Sequence, residues 1–129
     1  MNVSNAEAGR KEIRLTLPIN KAYIHIACMT ADAIAKKLKL NTEKSEEIKM
    51  AVSEAYSFIV DNEKIFDEKS FQLQFIHHND SLKIYFDIET KNPNFNISSL
   101  KYIPSENYFP FEMSVYNNGS LSLSSNIIT

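Results

Sequence analysis

Residues 42–61 read TEKSEEIKMAVSEAYSFIVD, and their spacing predicts a helix. Ile48, Ala51, Val52, Ala55 and Ile59 recur at i, i+3, i+4, i+7 and i+11, one apolar stripe on a 3.6-residue period. Thr42 is placed to cap the first turn, and Glu43, Glu46 and Glu47 sit where the helix dipole favours carboxylates. Just upstream, Asn20 to Leu38 has the same period. Tyr23, Ile26, Ala27, Thr30, Ile34 and Leu38 form its stripe, which Ile24, Cys28, Ala31 and Ala35 widen. Asn20 reads as its N-cap, and Lys36, Lys37 and Lys39 suit its C-terminal end. Neither helix contains proline.

Outside this helical pair the period changes to two. Lys11-Glu-Ile-Arg-Leu-Thr-Leu17 alternates, with Ile13, Leu15 and Leu17 on one face, and Pro18 ends the strand. Residues 71–75 and 82–86 alternate around a turn-rich His77-His78-Asn79-Asp80, which predicts a hairpin. A second hairpin is expected from 111–115 and 121–123, joined by Asn117-Asn118-Gly119-Ser120. Between the hairpins, residues 90–110 follow no period and read as an irregular connection. The order is β, two helices, then two hairpins. It predicts an α+β two-layer sandwich, a mixed or antiparallel sheet with helices on one face. Residues 1–10 read as a flexible tail and 11–129 as one domain.

Composition removes several classes of function. The 129 residues carry 14 basic and 16 acidic side chains, a formal charge of −2, so electrostatics makes no case for nucleic-acid binding. Only Gly9 and Gly119 are glycine, where average usage gives roughly nine. A dinucleotide fingerprint or a P-loop cannot be written with two glycines so far apart. The single cysteine, Cys28, excludes an internal disulfide or a cysteine zinc cluster and reads as a small core side chain. No apolar run reaches the ~18 residues of a membrane span, and the start MNVSNAEAGRKE has no secretory h-region. The expectation is a cytoplasmic protein away from membranes. His77 and His78, adjacent on a strand, point to opposite faces and do not share a metal; no metal is expected. Asp87 and Glu89 share a face and read as charges closing an edge strand.

The run Lys49-Met50-Ala51-Val52-Ser53-Glu54-Ala55 lies in a helix that follows a strand–Pro–helix unit. In this it closely resembles the anti-sigma-factor serine kinases of bacteria, members of the GHKL (histidine-kinase-like) ATPase superfamily. The resemblance covers roughly residues 11–89, and FEMSVYNNGSLSLSS is similar to that family's closing hairpin. It implies a histidine-kinase-like ATPase fold in reduced form. Glu54 matches the family's catalytic base. The magnesium-binding asparagine four residues later is matched by Phe58, which offers a hard cation no oxygen. The family's D-x-G box falls on Phe86-Asp87-Ile88-Glu89-Thr90. One register sets Ile88 on the aspartate and Thr90 on the glycine; a slip by one sets Asp87 and Glu89 there, and neither restores the box. The phosphate-closing G-x-G-L is matched only by Ser120-Leu121-Ser122-Leu123. Tyr102, Tyr108, Phe109 and Phe111 are candidates to plug the vacated pocket.

These matches point to a protein without cofactor that has lost kinase activity, Glu54 being a relic. The resemblance implies a homodimer that binds a sigma factor or a STAS-type anti-anti-sigma protein in transcription control. Tyr23, Ile24, Ala27, Ala31 and Lys37 on the first helix are the candidate partner contacts. Two alternatives are an active serine kinase with an atypical site and a small-ligand sensor that reuses the remodelled pocket.

Overall fold

Two helices and a short third are inserted between the first two strands of a five-stranded sheet. The computed structural model describes residues 9–90, Phe95, Leu100, 111–115 and 120–128. Strand β1 spans Lys11–Pro18, followed by a 3-10 turn Lys21–Tyr23, helix α1 Ile24–Lys37, helix α2 Thr42–Asp61 and the single turn α3 Glu63–Phe66. Strands β2 Ser70–His78, β3 Ser81–Glu89, β4 Glu112–Val115 and β5 Ser120–Ile128 complete it. The sheet order is β1-β2-β3-β5-β4, and every neighbouring pair is antiparallel. The mixed sheet left open by the sequence is therefore wholly antiparallel.

Period-2 alternation sorts the strand residues. Phe71, Leu73 and Phe75 of β2 and Leu82, Ile84, Phe86 and Ile88 of β3 are buried with the helices in one core. Their neighbours Gln72, Gln74, Lys83, Tyr85, Asp87 and Glu89 lie on the other face, exposed or half-buried. The helices thus cover a single face of the sheet. An aromatic chain runs through this layer. Tyr56 of α2 meets Phe71 edge-on at 4.9 Å, Phe71 stacks on Phe86 at 5.6 Å, and Phe86 meets Phe111 edge-on at 5.5 Å. The Tyr56 hydroxyl donates to the Pro18 carbonyl at 2.6 Å, tying α2 to the end of β1.

Capping differs from the sequence reading at two helices. Asn20 does cap, but it opens the 3-10 turn, accepting from the Ala22 amide, and α1 begins only at Ile24. At α2 the cap is Asn41, one residue before Thr42, whose side chain accepts from the Lys44 amide at 2.8 Å. The end of α1 exposes the cost of having so few glycines. The Leu40 amide bonds the Ala35 carbonyl and the Lys39 amide the Lys36 carbonyl, a Schellman closure. Its left-handed residue is Lys39, at φ 59°, where glycine is the usual choice. Asp67 and Asn79 take the same conformation at φ 54° and 55°.

Asn79-Asp80 forms the first hairpin turn, since His78 pairs with Ser81. Strands β4 and β5 pair as the second hairpin, Met113 opposite Leu123 and Val115 opposite Leu121. Its turn residues 116–119, including Gly119, lie outside the described residues, as do residues 1–8 of the expected 1–10 tail and most of 90–110. Strand β5 is nine residues long and sits between β3 and β4. This placement corrects the reading of Asp87 and Glu89 as edge charges: β3 is flanked on both sides. The edge strands are β1 and β4, and β1 carries Pro18 at its last paired position.

Candidate functional site

The positions matched to a nucleotide site are spread over α2, the end of β3 and the start of β5, where Ser120-Leu121-Ser122-Leu123 lies in strand. Glu54 is half-buried on α2. One turn on, Phe58 is 2% exposed and belongs to the central core. Its carbonyl accepts from the Asn62 side chain at 2.9 Å. Asn62 is itself buried, so a side chain four residues beyond Phe58 serves the backbone of α2. Ile88 is fully buried and pairs with Leu121 of β5. Thr90 is 4% exposed, and its hydroxyl donates to the Phe66 carbonyl at 2.7 Å. Phe66 in turn contacts Phe95 at 5.8 Å.

Physical chemistry gives this cluster a structural role. Phenylalanine and isoleucine supply no ligand to a cation, and the Thr90 hydroxyl already donates to a carbonyl. In the slipped register, Asp87 accepts from the Gln74 side chain at 2.8 Å on the open face of the sheet. No buried side-chain nitrogen or oxygen lacks a partner among the described residues. No group of three or more His, Cys, Asp or Glu side chains there is arranged to hold a metal ion. Of the proposed aromatic plug, Phe111 is buried against Phe86; Tyr102, Tyr108 and Phe109 lie outside the described residues.

The candidate partner contacts on α1 divide. Ala27 and Ala31 are fully packed in the core, where α1 lies against α2, so they face no partner. Ile24 is half-buried against the core. Tyr23 is 40% exposed, and Lys37 is exposed. Two residues missed as surface groups stand beside Tyr23. Ile26 is 45% exposed and Met29 58%. The sequence placed Ile26 in the core stripe because a broad apolar face does not reveal which flank the sheet covers. Tyr23, Ile26 and Met29 follow at i, i+3 and i+6, so they form one exposed stripe.

Charges join α1 to α2 beside this stripe. Lys49 binds Glu46 at 2.7 Å and Asp32 at 3.8 Å, and Lys36 binds Asp32 at 2.9 Å. The hydrogen bond from Lys36 lowers the Asp32 pKa, and that to Glu46 raises the Lys49 pKa. Cys28 lies nearby, half-buried, and desolvation pushes its thiol pKa up, which suits a packing residue and not a nucleophile. His77 and His78 occupy successive positions of β2; His77 pairs with Leu82 and with Lys11, whereas His78 lies beside Asn79. Among the described residues no helix is long and apolar enough to cross a membrane. Compared with known protein families and curated proteins, the chain matches no family model and no curated sequence.

Proposed function

We propose that this protein is a non-catalytic regulator that works by binding another protein, in the manner of an anti-sigma factor without kinase activity. The partner in this reading is a sigma factor or a STAS-type anti-anti-sigma protein in bacterial transcription control. One observation supports it most. The residue matched to the magnesium-binding asparagine is Phe58, packed in the core, and Thr90 at the matched glycine is buried and bonded to Phe66. Phosphoryl transfer requires a held cation and cradled phosphates. A half-buried Glu54 supplies neither. The exposed Tyr23–Ile26–Met29 stripe supports the second half of the reading, because contiguous apolar groups on a helix surface suit protein contact.

A two-hybrid panel tests the reading, with the full chain against the sigma factors and STAS-type proteins of its own bacterium. An interaction that disappears in the Ile26→Lys, Met29→Lys double variant is the expected result. Phosphorylation of any of these proteins by the purified chain with ATP and magnesium, lost in Glu54→Ala, overturns it.

A further inference from the structure

Alongside α1, from Met29 to Leu38, a cleft of about 440 Å³ opens between the helix and the sheet. Ile13, Phe75 and Leu82 form its floor, and Ile34 and Leu38 of α1 its roof. Ile13 is 43% exposed there although it shares a face with the buried Leu17. The volume lies in the range of small-molecule sites. Apart from Lys11, Lys37 and His77, the lining offers almost no polar group. Thr30 is the other polar residue, and its hydroxyl already donates to the Ile26 carbonyl at 2.9 Å.

Those three residues decide the occupant. Lys11 and His77 are direct cross-strand partners, and Lys37 comes from the last turn of α1. Among the described residues no carboxylate lines the cleft, and neither Lys11 nor Lys37 forms an ion pair. An apolar trough with an uncompensated cationic rim matches an unbranched tail carrying one anionic head. A cleft of this size suits a tail on the order of ten carbons and not a long lipid chain. A nucleotide or sugar would leave its polar groups unpaired against Phe75, Ile34 and Leu82. A second copy docked symmetrically on the cleft would set one cationic rim against another.

We propose that this cleft binds a free medium-chain carboxylate such as decanoate or dodecanoate. The tail lies along Ile13, Phe75 and Leu38, and the head sits between Lys11, Lys37 and His77. The site is separate from Phe58 and does not depend on the loss of kinase activity; it shares Met29 and Lys37 with the proposed partner surface, and titration of the chain without a partner tests it alone.

Isothermal titration of the full chain with sodium dodecanoate below its micelle concentration tests this. A one-to-one Kd of roughly 10–100 µM is expected, with a raised melting temperature. Dodecanol and dodecyltrimethylammonium are expected to bind at least about tenfold more weakly, as is dodecanoate to the Lys11→Met, Lys37→Met variant. Ala33→Trp fills the cleft from an exposed position of α1, so it keeps its fold by circular dichroism and loses binding. Equal affinity for dodecanol, or unchanged binding by folded Ala33→Trp, overturns the proposal. So does binding to phosphatidylglycerol vesicles without binding to free dodecanoate. A dimer that Ala33→Trp dissociates, with no dodecanoate heat, overturns it in favour of a second copy.

Discussion

Replacing Phe58 by asparagine restores the side chain that the resemblance expects and tests whether space exists for it. Phe58 is 2% exposed in the central core. Removing a buried phenylalanine ring costs about 3–5 kcal/mol. An amide placed there without partners adds about 1–3 kcal/mol. The expected loss is therefore about 4–8 kcal/mol, against a total near 6–19 kcal/mol for a chain this long. At a urea slope of about 2 kcal/mol/M, the midpoint falls by roughly 2–4 M. Urea titration followed by far-UV circular dichroism measures it. Phe58→Leu, which keeps most of the volume, is expected to lose less than about 2 kcal/mol. A Phe58→Asn variant within about 1 kcal/mol of the parent would refute the reasoning. Its ring would then not be packed, and the matched position would have room for a cation and phosphates.

Four further outcomes follow from single interactions. Tyr56→Phe removes the bond to the Pro18 carbonyl and is expected to cost about 1–2 kcal/mol by urea titration. Burial raises the Tyr56 pKa to about 12 from 10.0, so the neutral phenol is the folded form's species. That stability is intact below pH 10 and is lost as pH rises toward 12; the parent-minus-variant difference in stability should shrink across this window. Thr90→Val leaves the Phe66 carbonyl without its donor and should lower stability by about 1–3 kcal/mol in the same assay. Asn41→Ala removes the α2 cap, a loss of about 1 kcal/mol, whereas Thr42→Ala should change little. Lys39→Gly relieves the left-handed strain at the end of α1 and should raise the melting temperature by about 2–4 °C by calorimetry.

The architecture was legible wherever a residue's pattern has a single physical solution. The α2 stripe through Ile48, Val52, Ala55 and Ile59 is buried as spaced, and the alternation in β2 and β3 sorts core from open face residue by residue. Sheet order was not legible, because alternation says which face a residue takes but not which strand lies beside it. Strand β5 inserts next to β3, and this alone removes Asp87 and Glu89 from an edge. On α1 the apolar face is broad, so the split between buried Ala27 and Ala31 and exposed Ile26 and Met29 depends on the packing of α2 and the sheet. The shortage of glycine was visible, but its structural consequence was not. Lys39, Asp67 and Asn79 carry left-handed backbone where glycine is usual. Of the candidate site, the identities of Phe58, Ile88 and Thr90 were plain in the sequence. That Asn62 and Phe66 join the same buried cluster needed the fold of α3 against the end of β3.

Titration of the intact chain with ATP and magnesium, followed by isothermal calorimetry, tests the central claim most directly. No saturable heat up to about 1 mM nucleotide is the predicted result. Micromolar binding that Glu54→Ala abolishes would contradict it.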